Sequence, residues 1–245
     1  MGGGGSGPAD PPAADGVSER RVVALVPAHD EGDRVGATVR SLLRLPGVEE
    51  VVVVDDGSRD ATSAVALAAG ATVLRIPRRI GKGGALEGAL RRLPPSDVWL
   101  LADADLGASA VALAPVLEAV LLERADLAVA ILPPQAARGL GTVRRFAARA
   151  ILLLTGFTAE QPLSGQRAIH GGALDACRPL AAGFGVETAM TIDALRSGLR
   201  VLEVPAPGLA HRATGRDPAG FVHRGRQGLE ILRAVIVRVL RRRRR

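Results

Sequence analysis

The chain has 245 residues, 47% of them apolar and 2% aromatic, enough for one large globular domain with a sizeable core. Its single cysteine, Cys177, excludes an internal disulfide and a cysteine-rich zinc site, and fits a reducing, cytoplasmic compartment. The formal net charge of +7 has no aromatic stacking platform beside it, which argues against nucleic acid, and no apolar run reaches the roughly 20 residues of a membrane span.

Residues 1–19 are rich in Gly, Pro, Ala, Ser and Asp, without the basic start and apolar core of a signal peptide, and read as a disordered tail. A domain is expected over 20–240, with a nucleotide-binding half to residue 110 and an acceptor half from 111. Arg21–Pro27 is a short apolar run, a first strand, and Asp33–Leu45 carries Val35, Val39, Leu42 and Leu43 at helical spacing. Glu50–Val54 reads as a buried strand, Ala61–Ala69 as a helix, Thr72–Ile76 as a strand and Gly84–Arg92 as a helix. Val98–Ala102 follows as a strand and Ala110–Arg124 as a helix. This alternation predicts an α/β fold with a parallel sheet and helices on both faces. Further on, Val143–Leu154 and Glu187–Arg196 read as helices, Gln161–Ile169 and Val201–Val204 as strands. Leu229, Leu232, Ile236, Val239 and Leu240 fall near helical spacing before a basic tail, Arg241–Arg245. Two readings fit that end: a helix docked on the domain, or a basic amphipathic helix at an anionic membrane surface.

In a parallel sheet ligands bind outside the carboxyl ends of the strands, and three polar clusters fall there. "VPAHDE" (Val26–Glu31) follows the first strand, "DDGS" (Asp55–Ser58) the second, and "DAD" (Asp103–Asp105) the fourth. Asp103 and Asp105 leave a buried strand one residue apart, where like charges repel, so a cation is expected between them. Carboxylate oxygens suit Mg²⁺ or Mn²⁺, which could bridge a diphosphate. "RRIGKGGAL" (Arg78–Leu86) is a Gly-rich turn entering a helix, where Lys82 and backbone N–H groups could meet a phosphate or a base. It is not a Walker A loop, because Ile76 stands where that pattern needs glycine. Asp60 fits a helix cap.

In this order on strand ends, V-P-A-x-x-E, V-D-D-G-S-x-D-x-T, G-K-G-x-A-L and D-A-D-L resemble the GT-A glycosyltransferases of the family 2 type. The resemblance runs from Arg21 to about Leu240 and implies one Rossmann-like domain with a mostly parallel sheet. "QPLSGQRAI" (Gln161–Ile169), "GFGVETAMTIDALRSGL" (Gly183–Leu199) and "LAHR" (Leu209–Arg212) look like glucosyl-3-phosphoglycerate synthases, and more distantly like polyprenyl-phosphate sugar synthases. That likeness implies a donor, UDP-glucose, contacted by Pro27, Ala28, Glu31, Asp56, Gly57, Ser58, Lys82, Asp103 and Ala104. It implies Mg²⁺ or Mn²⁺ on Asp105 and His211, and Glu187 hydrogen-bonded to the sugar beside catalytic Asp103 and Asp105. A small phosphorylated acceptor would enter past Thr142, Arg144, Ser164, Gly165, Arg167 and Arg212, with the anomeric configuration retained. A homodimer is also implied. Three departures stand out. Gly141-Thr142-Val143-Arg144 replaces G-R-V-T, Ala213 follows Arg212 where the synthases have Asn, and Gly107 replaces the Gln of polyprenyl-phosphate synthases.

Overall fold

The computed structural model describes residues 20–133, 141–210 and 229–240. Seven strands form one sheet: β1 (Val22–Ala28), β2 (Val48–Asp56), β3 (Thr72–Ile76), β4 (Val98–Leu101), β5 (Leu127–Ile131), β6 (Arg167–His170) and β7 (Val201–Pro205). Their spatial order is β3-β2-β1-β4-β6-β5-β7. The central strands are near-continuous Val, Leu and Ala runs because helices cover both faces. Along β1, Val22, Ala24 and Val26 pack with Val35, Val39 and Leu42 of α1 (Val35–Leu42) and with Leu117 of α4 (Ala114–Leu121). Val23 and Leu25 face the other way, towards Ala85 and Leu86 of α3 (Lys82–Leu90) and Met190 of α7 (Val186–Arg196). A third, smaller cluster joins Ala147 and Ile151 of α5 (Gly141–Thr155), Ile192 of α7, and Ile231 and Val235 of the helix at residues 229–240, α8.

The sheet is not wholly parallel. β6 runs antiparallel between β4 and β5, with Leu101 opposite Arg167 and Val98 opposite His170. The expected strand at Gln161–Ile169 shortens to Arg167–His170, and Gln161–Gln166 forms an approach closed by a Ser164 N–H bond to the Gln161 carbonyl. An antiparallel strand reverses which of its ends reaches an edge. The start of β6 therefore stands beside the end of β4. The expected helix at Ala110–Arg124 divides into a 3₁₀ segment, Gly107–Leu113, and α4, which begins with Pro115 in its first turn. Proline lacks an N–H and crowds the preceding turn, so the α-helical ladder starts there. Among the described residues, three short elements lie outside the sequence reading: β5, α6 (Gly171–Ala176) and a 3₁₀ turn at Gly183–Gly185. The tails at 1–19 and 241–245 are outside the described residues.

α8 is docked. Ile231, Ala234 and Val235 are buried, and Arg238 pairs with Asp193 of α7 at 2.5 Å. Its outward face still exposes Leu229, Leu232, Ile236, Val237 and Leu240. Among the described residues no helix is long and apolar enough to cross a membrane.

Candidate active site

The carboxyl ends of β1, β2 and β4 meet the starts of α3, α7 and β6 on one edge. Backbone order explains the convergence: the polar residues directly follow apolar strands, and Lys82 and Glu187 open their helices.

Lys82 is the centre. Its ammonium lies 2.5 Å from Asp103 Oδ1 and 2.8 Å from Glu187 Oε1. Burial by itself would depress the lysine pKa; Asp103 and Glu187 more than offset this and hold it above its ordinary value. The cation beside Asp103 in the protein itself is Lys82, and the second acid it bridges is Glu187 rather than the Asp105 expected from the sequence. Among the described residues, two side chains hold Asp103. Its Oδ1 meets Lys82, its Oδ2 accepts from Gln166 Nε2 at 2.8 Å, and its N–H donates to Gln166 Oε1 at 3.1 Å. Gly165 precedes that glutamine, and a Cβ there would collide with Lys82 Nζ and crowd the Asp103 carboxylate.

The loop after β4 is pinned through its carbonyls. Thr38 Oγ1 donates to Ala104 O at 2.8 Å and Arg34 to Asp105 O at 3.2 Å. Asp105 itself is half-buried at this edge. Behind β2, buried Asp56 accepts the N–H groups of Ile80 at 2.7 Å and Gly81 at 2.8 Å, so its carboxylate anchors the Gly-rich turn that delivers Lys82. Gly57, at φ +74°, lies against the Arg78–Arg79 backbone, where a Cβ would find atoms at 2.8 and 2.9 Å. Ser58 Oγ accepts the Asp30 N–H at 3.0 Å, and Glu31 N–H donates to Thr62 Oγ1 at 2.9 Å. These bonds tie the loops after β1 and β2 together. Asp55 is buried in the same junction, accepting from Ser58 N–H at 2.8 Å and from the Ser63 hydroxyl. Desolvation would raise its pKa, but these bonds and Arg75 hold it below the usual carboxylate range. Asp60 is not the cap expected of it: Ala61 holds the N-cap position of the helix Thr62–Ala68, and Asp60, one residue earlier, accepts the Thr62 and Gly32 N–H groups, each at 2.9 Å.

A small pocket behind the cluster is lined by Pro27, Lys82, Leu101, Gly165, Arg167 and Glu187, among others. Arg167 is fully buried. It donates to Ser164 O at 2.7 Å and Thr191 Oγ1 at 2.9 Å, and burial pushes its pKa down to about 10 against the pull of Glu187. It therefore stays charged at neutral pH. One Arg167 nitrogen and Ser164 Oγ are buried with no hydrogen-bond partner among the described residues.

The edge thus gathers Pro27, Ala28, Glu31, Asp56, Gly57, Ser58, Lys82, Asp103, Ala104, Asp105, Ser164, Gly165, Arg167 and Glu187 from separate stretches of sequence. Thr142 and Arg144 are exposed on the first turn of α5, outside the Lys82 hydrogen-bond cluster. His211 and Arg212 lie outside the described residues. Gln166 was missed as a site residue; the signal was its place inside "QPLSGQRAI", an uncharged polar residue entering a buried strand. Thr38 and Arg34 were missed as well, because they act on carbonyls from an unrelated helix.

A family model described as "Glycosyl transferase family 2" matches residues 23–164. Glucosyl-3-phosphoglycerate synthase of Mycobacterium tuberculosis is 31% identical over 233 aligned residues, which cover 84% of this chain and 71% of that protein. The Mycolicibacterium paratuberculosis synthase is 36% identical over 96 residues, a local match covering 36% of this chain and 29% of that one. Glycosyltransferase AglJ of Haloferax volcanii is 30% identical over 189 residues, covering 75% of this chain and 61% of that protein. The crystal structure of the M. tuberculosis synthase with Mg²⁺ and UDP superposes with a TM-score of 0.76 at 28% identity, covering 89% of this chain and 79% of that chain. Its complex with Mn²⁺, UDP and glucosyl-3-phosphoglycerate gives 0.74 at 27% identity, covering 89% and 80%.

Proposed function

We propose that this chain, which belongs to glycosyl transferase family 2 and is a nucleotide-sugar-dependent glycosyltransferase, moves glucose from UDP-glucose to a small phosphorylated acceptor such as 3-phosphoglycerate. The reaction is metal-dependent, retains the anomeric configuration and takes place in the cytoplasm. The observation that carries this reading is the Asp103–Lys82–Glu187 cluster at the carboxyl edge of the sheet, beside the pinned Ala104–Asp105 loop.

The donor set fits a hard divalent cation. Among the described residues no three metal-binding side chains cluster, yet Mg²⁺ commonly takes one or two carboxylates and completes its shell from substrate phosphates and water. Asp105 and His211 would hold it, with Asp103 at the ribose or in the outer shell. A bound ion would set positive charge against the diphosphate, where negative charge grows as UDP departs. Pro27, Glu31, Asp56 and Ser58 would border the uridine. Glu187 would accept hydrogen bonds from the glucose hydroxyls, held in place by Lys82. No side chain stands out as a covalent nucleophile, which fits attack on the face the nucleotide leaves. The acceptor hydroxyl forms its bond to the anomeric carbon as the bond to the phosphate oxygen breaks, and its proton passes to the departing phosphate. Arg144, Arg167 and Arg212 are the cations offered to the acceptor phosphate.

The test combines purified protein, UDP-glucose, Mn²⁺ and 3-phosphoglycerate, with product read by mass spectrometry and anomeric configuration by NMR. An α-linked glucosyl product is expected. A β-linked product would overturn retention, transfer from another nucleotide only would overturn the donor, and binding without transfer to any acceptor would leave a binding protein. Light scattering tests the homodimer.

A second reading, transfer to a polyprenyl phosphate at a membrane surface, is favoured by the apolar outward face of α8 and its exposed Arg233. It requires activity that depends on lipid and falls when residues 229–245 are removed.

A further inference from the structure

We infer that Gln166 is a positioning residue for the nucleotide-sugar site, setting the orientation of Asp103 from the first turn into β6. The inference rests on the function proposed above and adds a residue to it. Gln166 is fully buried, and burying a carboxamide costs free energy unless its oxygen and nitrogen are both engaged. Among the described residues, Asp103 engages both. The amide oxygen takes the Asp103 N–H and the amide nitrogen donates to Asp103 Oδ2. A methionine would fill similar volume at the approach to β6 but would give up both bonds to Asp103, so those bonds, and not the filling of space, are what glutamine adds here.

The geometry gives one. With Oδ2 tied to Gln166, Oδ1 is the oxygen turned to Lys82. Lys82 in turn holds Glu187 at 2.8 Å. Gln166 therefore fixes the first member of a three-residue chain that ends on the carboxylate assigned to the sugar. The neighbouring Gly165 leaves the space that lets Lys82 and Asp103 meet. The antiparallel direction of β6 is what brings this pair of residues to the end of β4. A purely structural glutamine would tie β6 to the β4 loop without caring which way the carboxylate points.

Gln166→Met separates the two roles. A crystal structure of the variant reads Asp103 directly. It should show the β4–β6 register kept and the Asp103 carboxylate turned from its wild-type rotamer. UDP-glucose affinity, measured calorimetrically with Mn²⁺, should fall about tenfold, the size of one well-placed hydrogen bond to a charged group. The melting temperature should stay within a few degrees of wild type, and the acceptor KM should not move. An unmoved Asp103, or UDP-glucose affinity within twofold of wild type, overturns the inference. Loss of the register with a large drop in melting temperature also overturns it, in favour of a structural role. If the wild-type protein itself binds no UDP-glucose, the proposed donor fails, and the Asp103 rotamer in the variant still decides the role of Gln166.

Discussion

Replacing Lys82 by methionine keeps the length of the side chain and removes its charge. Two carboxylates lose their shared partner, and they do not lose it equally. The Asp103 side chain is 27% exposed and keeps Gln166, so water can take over part of its solvation. The Glu187 side chain is 6% exposed and has no such access. Breaking a buried pair by removing one partner costs about 3–5 kcal/mol, and the partial exposure of Asp103 places this case near about 3. For a domain of this size that corresponds to a fall in melting temperature of about 6–12 °C. Thermal unfolding followed by circular dichroism at neutral pH measures it. The pH dependence adds a sign. Lys82 has a folded-state pKa raised above its unfolded value, so its stabilisation is fully present below about pH 10.4 and is lost only as pH rises through the folded value. The gap between wild type and K82M should therefore be constant from about pH 6 to about pH 10 and narrow above that. A melting temperature for K82M within 2 °C of wild type would refute the account, because it would mean that Glu187 carries no dependence on this charge.

Asp105→Ala should leave the fold intact and abolish metal-dependent transfer; a turnover assay with UDP-glucose and Mn²⁺ checks it, and near-normal activity would remove the metal proposal. Cys177 is buried and its thiol is pushed up to about 12 by desolvation, so native protein should resist alkylation at pH 8 and react only on unfolding, read by mass spectrometry. Arg238→Ala strands Asp193 against α8, whose Arg238 side chain is 5% exposed, and should cost about 3 kcal/mol locally. Limited proteolysis should then cut within residues 229–240 first, and an unchanged digestion pattern would contradict the docking seen here.

Much of this protein is written into local sequence. Strand periodicity and helical spacing place β1 to β4 and α1 to α3 within a few residues, because a strand buried on both faces must read as an unbroken apolar run and a covering helix must show a stripe. The acids directly after those runs mark the binding edge for the same reason: a polar residue at the end of a buried strand has to face something. The order of those motifs also identified the family. What local sequence does not carry is direction and distance. β6 is four residues long, and nothing in Arg-Ala-Ile-His states that it runs against its neighbours. β5 is as apolar as β1 and β4 and was passed over between two helical segments. Lys82, Asp103, Gln166 and Glu187 are spread over more than 100 positions, and only the packing of α3, α7 and β6 around the end of β4 makes them one cluster. A hydrogen bond needs its partners within about 3 Å, a condition on space that residue types at a given spacing cannot express. Sequence chose the chemistry of this edge; the tertiary fold decided which carboxylate meets which cation.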